Sequence, residues 1–178
     1  MIIMKKFLIP VILSALAVPL FAYVEPMKTR KPAVQGNMKH SKTIGAATIL
    51  INNFDQFQKE WFSTSTEHTP YANEVSTVKT GETIHLITFF SDCSPNKKNK
   101  CNMSYRTRIF KDGTLIFTSK EEKQEVEFLG NSLMQLSSVV LASNFDANET
   151  GNYSFEVTVY DNNAKDFAVV KTGVKVTL

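Results

Sequence analysis

The stretch Gly151-Asn152-Tyr153-Ser154-Phe155-Glu156-Val157-Thr158-Val159-Tyr160 decides the fold class. Tyr153, Phe155, Val157 and Val159 share one phase, while Ser154, Glu156, Thr158 and Tyr160 share the other. A period of two puts the first set on one face of a strand and the second on the opposite face. Asp161-Asn162-Asn163 supplies turn residues, and Phe167 to Leu178 returns as the second strand of a hairpin. In the returning strand the apolar phase changes between Val169 and Val170, and a bulge at Lys171-Thr172-Gly173 is the expected cause.

Working outward, the same kind of text recurs. Thr83 to Phe90 is apolar on both phases, as in a strand buried on both sides. Met103 to Phe110 alternates, with Met103, Tyr105, Thr107 and Ile109 on one face and Ser104, Arg106 and Arg108 on the other. Asp112-Gly113 is a hairpin turn into Leu115 to Thr118. Glu74 to Val78, Glu125 to Phe128 and Gln135 to Ala142 are further strands. Ala46 to Ile51 is a continuous apolar strand, and beyond it Asn53 and Gln56 have the spacing of a helix capping box. Phe54, Phe57 and Trp61 then fall on one side of a short helix that covers one end of the core. Short strands at this spacing predict an all-β, two-sheet antiparallel sandwich of about seven or eight strands, with one short helix near its start.

Glu149-Thr150-Gly151-Asn152-Tyr153-Ser154-Phe155 resembles the start of strand F in immunoglobulin-like domains. There an acidic residue, a glycine and a tyrosine precede an inward cysteine, and the tyrosine hydroxyl bonds back to the backbone at the corner between sheets. Tyr153 is therefore expected to pin that corner. Phe155 stands where the cysteine would be, so the resemblance is to an immunoglobulin-like sandwich lacking the inter-sheet disulfide.

The N-terminus carries a different text. Met1 to Lys6 ends in two lysines, Phe7 to Phe21 is apolar, and Ala22 offers a small residue for cleavage. This order is that of a signal peptide over residues 1–22, too short for a comfortable spanning helix. Residues 23–44 read as a basic flexible tail, and residues 45–178 as the sandwich domain. The formal charge of +3 for the whole chain is uneven. Lys5 and Lys6 contribute two charges and residues 23–44 a net four, so the domain itself is left at −3. That balance argues against nucleic acid as a partner.

Cys93 and Cys101 bracket Ser-Pro-Asn-Lys-Lys-Asn-Lys between two strands. No third thiol or imidazole stands at zinc-site spacing, so a disulfide in an oxidising compartment is the expectation, periplasmic or secreted. His40, His68 and His85 are scattered, and His85 reads as a half-buried, hydrogen-bonded residue within a strand. Neither a metal nor any other cofactor is expected. The sequence contains no nucleophile elbow, zinc-protease helix or phosphate loop. Lys97, Lys98 and Lys100 in the loop, with Arg106 and Arg108 on the adjoining strand, are the candidate contact residues for an anionic partner.

Phe89-Phe90-Ser91-Asp92-Cys93-Ser94-Pro95-Asn96, followed by Cys101-Asn102 and Asp112-Gly113, resembles a group of small exported proteobacterial proteins. The resemblance spans roughly Thr48 to Leu178, implies an immunoglobulin-like fold and export, and supplies no catalytic residue. The expectation is a non-catalytic interaction module with an unknown protein or anionic surface partner, monomeric and not inserted in a membrane after cleavage. A surface-fibre subunit assembled by strand exchange is the alternative, and an enzyme of unrecognised type comes third.

Overall fold

The computed structural model describes residues 39–63, 72–127 and 140–178. The expected signal peptide, most of the expected basic tail, His68, Phe128 and the first part of the strand expected over Gln135 to Ala142 lie outside the described residues. The fold is all-β, two facing sheets with one helix laid on the outside of one of them.

The four-stranded sheet contains β1 (Lys39–His40), β2 (Gly45–Ile51), β4 (Thr83–Ser91) and β8 (Val140–Asp146), in that order. The second sheet runs β3 (Thr77–Lys79), β10 (Asp166–Thr177), β9 (Gly151–Asp161), β5 (Lys100–Lys111) and β6 (Thr114–Thr118), with β7 (Glu122–Glu127) also paired to β5. Between the sheets, Leu50, Ile84, Leu86, Phe90 and Phe145 meet Ile109, Phe155, Val157, Val159 and Val170. The inward phase of β9 is the one its alternation predicts.

The unbroken apolar text of β2 has a simple cause. Ala46 and Leu50 enter the core between the sheets, while Ala47, Ile49 and Ile51 face the other way, under helix α1 (Phe54–Ser63). Both faces are dry, so neither phase carries charge. The Asn53 Oδ1 accepts from the Gln56 amide at 3.0 Å, closing the N-terminus of the helix as the capping box requires. Phe57 is buried, and Trp61 packs against Phe89 with ring centroids 5.1 Å apart. Burying a ring such as Phe57 contributes roughly 1.5–3 kcal/mol. The helix therefore covers a sheet face rather than one end of the core.

Four further expectations are corrected. The sandwich is not wholly antiparallel, because β3 pairs with β10 in parallel, Val78 opposite Val176. Ten strands are present among the described residues rather than seven or eight. The one that no stretch named above covers is the two-residue β1, which a sequence pattern cannot register. The end of the expected tail belongs to the fold: Lys39 and His40 pair with Ala46 and Gly45, Ser41 and Thr43 bind Asp166, and Ile44 is buried. Finally, β10 has no bulge at 171–173, since its register against β9 is unbroken from Asp166 to Val176. Ala168, Val170, Val174 and Val176 keep one inward phase, and Phe167 and Val169 are apolar residues on the outer face. Gly173 is there for close approach, because a Cβ would lie 3.0 Å from the Tyr153 carbonyl oxygen. The observed bulge is elsewhere, in the β5–β6 pair between Ile109 and Phe110.

Candidate interaction surface

The loop from Cys93 to Cys101 is closed by their disulfide, with Cα atoms 6.0 Å apart. Inside it the Asn96 side chain accepts from the amides of Lys98 and Lys100 at 2.8 and 3.1 Å, and the Asn96 amide donates to the Lys100 carbonyl at 2.8 Å. A second fastening comes from the β9–β10 turn. The fully buried Asp161 carboxylate accepts from the amides of Ser94, Asn163 and Ala164 at 2.7, 3.1 and 3.1 Å. Asn163 Nδ2 donates to the carbonyls of Ser94 and Lys100. The turn residues that the sequence marks only as a chain reversal thus hold the loop in place. Their signal was there, since Asp and Asn in turns bond neighbouring backbone, but nothing in a sequence says which backbone.

Lys97 and Lys98 are exposed at the loop tip and form no ion pair among the described residues. Lys100 lies at the start of β5 and pairs with Glu125 at 2.8 Å. Alternation along β5 then carries Lys100, Arg106 and Arg108 to the outer face of the six-stranded sheet, away from Met103 and Ile109 in the core. Of the five candidate cations, three therefore share one face and two stand at the loop beside its end.

The three differ in state. Arg108 and Lys171 both bind the carboxylate of Glu156, the latter at 2.8 Å, across the row β5–β9–β10. Burial alone would push the Glu156 carboxyl up, but hydrogen bonds from Lys171 and Arg108 outweigh it and hold the group below the usual carboxylate range. Arg106 has no carboxylate partner among the described residues; its Nη2 donates to the Tyr160 hydroxyl at 3.2 Å. Arg106 Nε is buried with no hydrogen-bond partner. Tyr160 in turn packs on Phe167, ring centroids 6.0 Å apart, and Phe167 is 54% exposed. Glu156, Tyr160 and Phe167 were not singled out by sequence reasoning, which read them as ordinary outer-face and strand positions.

The remaining candidates sit apart from this face. His85 binds Asn144 through Nδ1 at 2.8 Å and stacks on Phe54 under the helix, while His40 is exposed in β1. No group of three or more potential metal ligands occurs among the described residues. Tyr153 donates from its hydroxyl to the Glu149 carbonyl at 3.0 Å, with its ring against Phe145.

The sequence matches no protein-family model and no curated protein. Among solved structures it is similar to a family 123 glycoside hydrolase from Clostridium perfringens, studied for glycolipid glycan hydrolysis. The TM-score is 0.41 with 12% identity, over 76% of this chain and 27% of that one. The chain thus spans about a quarter of that enzyme's length.

Proposed function

We propose that this chain is an exported, non-catalytic interaction module of immunoglobulin-like type that engages an anionic surface partner. The carrying observation is the charge of one face. On β5, β7, β9 and β10 the outward positions hold six cations, Lys100, Arg106, Arg108, Lys123, Lys171 and Lys175, against three acids, Glu125, Glu127 and Glu156. A domain whose net charge is negative thus concentrates positive charge on one sheet face, and Lys97 and Lys98 extend it at the loop. Clustering of one sign steers an oppositely charged partner, with an effect that fades beyond a Debye length of about 8 Å at physiological salt. The immunoglobulin-like assignment is supported by the Tyr153 to Glu149 bond at the start of β9. Periplasmic or secreted location is supported by the disulfide together with the order of charged, apolar and small residues at the N-terminus.

Capture of partners from a periplasmic extract tests the reading. Lys97→Ser/Lys98→Ser and Arg106→Ser should each leave stability nearly unchanged and weaken capture, and rising salt should weaken it further. Capture indifferent to all three substitutions and to salt would overturn it. The intact mass of the exported protein should lack residues 1–22, and a mass that retains them would remove the export argument.

A further inference from the structure

Asn-x-Ser/Thr, with x other than proline, is the acceptor pattern for an oligosaccharide on the asparagine nitrogen of an exported chain. It occurs three times in the sequence, at Asn102-Met103-Ser104, Asn148-Glu149-Thr150 and Asn152-Tyr153-Ser154. The structure separates the three. Asn102 lies inside β5, paired with Glu125 of β7; its Oδ1 accepts from Asn162 Nδ2 at 3.3 Å, and Ser104 is buried. Asn152 lies inside β9, opposite Lys175 of β10, and its Nδ2 donates to Asp112 Oδ1 at 3.1 Å. An acceptor asparagine has to be drawn into an enzyme's cleft together with the hydroxyl two residues on. A segment laddered into a sheet must first give up its backbone bonds to do so. Asn148 is under no such restraint. It lies in the loop between β8 and β9, where Asn148, Glu149 and Thr150 are all exposed. The Asn148 amide bonds only locally, to the Asp146 carbonyl at 2.9 Å. Neither the Asn148 carboxamide nor the Thr150 hydroxyl has a hydrogen-bond partner among the described residues.

Asp146 adds a second mark. Single-subunit bacterial oligosaccharyltransferases read an acidic residue two before the asparagine as well as the hydroxyl two after it. Asp146-Ala147-Asn148-Glu149-Thr150 has both, whereas Lys100 and Thr150 stand at the acidic place before Asn102 and Asn152. The Asp146 carboxylate accepts one hydrogen bond, from the Thr83 hydroxyl at 2.8 Å, and is in no ion pair among the described residues. Its charge is left for a cation of the enzyme.

We propose that Asn148 is an N-glycosylation acceptor, taking an oligosaccharide from a polyprenyl-pyrophosphate donor. The asparagine nitrogen attacks C1 of the donor's first sugar, and the C1–O bond breaks with its electron pair leaving on the pyrophosphate. The amide releases one proton, and nothing is oxidised or reduced. The site requires the export proposed above, since donor and enzyme act on the outer side of the membrane. A glycan on Asn148 projects from the end of the sandwich where β9 begins, and the disulfide loop packs on Asp161, where β9 finishes. Eleven residues of strand separate the two ends by about 33 Å, so the lysine loop stays open in the modified protein.

The purified folded chain, incubated with a single-subunit bacterial oligosaccharyltransferase and a lipid-linked oligosaccharide of known mass, should gain one glycan. Peptide mapping should place it on Asn148. Asn148→Gln and Thr150→Ala should abolish the added mass, Thr150→Ser should keep it, and Asp146→Asn should lose most of it. Asn148 and Thr150 are exposed, and unchanged thermal unfolding establishes that each variant is folded. This reaction does not depend on export. Protein recovered from the cells that make it should carry the same single modification and lack residues 1–22. No added mass in the purified reaction, a gain indifferent to Asn148→Gln or Thr150→Ala, or a glycan on Asn102 or Asn152 instead would each overturn the proposal. Cellular protein that lacks residues 1–22 and bears no glycan would overturn it too, while leaving the export reading standing. Cellular protein that retains residues 1–22 and bears no glycan would overturn both.

Discussion

The Asp161 carboxylate, fully buried in the turn after β9, accepts a 2.7 Å hydrogen bond from the Ser94 amide on the far side of the disulfide loop. The two residues are 67 apart in sequence, and the bond ties the loop that carries Lys97 and Lys98 to the most regular hairpin of the fold. Asp161→Ala should strip the amides of Ser94, Asn163 and Ala164 of their acceptor. Hydrogen bonds to a charged group contribute about 1.5–3 kcal/mol each, and a buried donor left unsatisfied adds to the loss. A fall in unfolding free energy of about 3 kcal/mol is expected, since the three are not additive. Urea unfolding measures it, and hydrogen exchange should show the Ser94 to Lys100 amides losing protection. A variant as stable as the parent would mean that the turn does not hold the loop.

Tyr153→Phe isolates the corner bond. The ring, packed on Phe145 at 5.0 Å, stays, and only the hydroxyl that donates to the Glu149 carbonyl is lost. The expected loss is about 0.5–1.5 kcal/mol, read as a lower urea midpoint at unchanged slope. An unshifted midpoint would show that the hydroxyl bond does not pin the corner.

Strands, turns and the helix cap were legible because each is written locally. The alternation of β9 and the Asn53 to Gln56 spacing need no knowledge of the rest of the chain, and Asp112 and Gly113, at φ 48° and 81°, adopt the positive angles their hairpin turn demands. The phase of β10 misled because Phe167 and Val169 are apolar residues on an outer face, which a pattern reader takes for core. The parallel β3–β10 pair was not legible: the text at Glu74 to Val78 marks a short strand, but nothing in it names a distant partner or the parallel direction. The same limit applies to the surface. Arg106 and Arg108 could be placed on one face from alternation, but the neutralisation of Arg108 by Glu156 and the association of Arg106 with Tyr160 depend on strand order across the sheet.

Asp166 gives a pH signature. Its carboxylate accepts from the Ser41 hydroxyl at 2.7 Å and from the amide of Thr43, and these bonds, the first above all, hold its pKa down to about 2 from 3.8. A group depressed in the folded state contributes stability that is fully present above its unfolded pKa. That contribution is lost as pH falls through the folded value. The parent should therefore lose stability between pH 4 and 2, and Asp166→Asn should lose less over the same window while being less stable at pH 7. Thermal unfolding at stepped pH separates the two. Parallel curves for parent and variant would show that Asp166 does not clamp the segment leading into β2.

The disulfide and Asp161 hold the same loop by different means, and a double-mutant cycle should reveal it. The disulfide acts mainly on the unfolded chain: closing nine residues is worth about 2.5 kcal/mol in the chain-entropy account. Asp161 acts on the folded chain, by fixing the loop backbone after folding. With both intact, the protein should show no reactive thiol until it is reduced. Cys93→Ser/Cys101→Ser alone should cost about 2.5 kcal/mol, because Asp161 still orders the loop and the folded state gains no freedom. Once Asp161 is also replaced, the uncrosslinked loop can fray in the folded state, and part of the entropy that the disulfide had withheld from the unfolded chain returns to the folded one. The combined loss should then fall short of the sum of the separate losses by about 1 kcal/mol, well beyond the roughly 0.3–0.5 kcal/mol scatter of independent sites. Strict additivity would mean that the disulfide and the buried carboxylate stabilise the protein independently, and that the loop stays ordered without either.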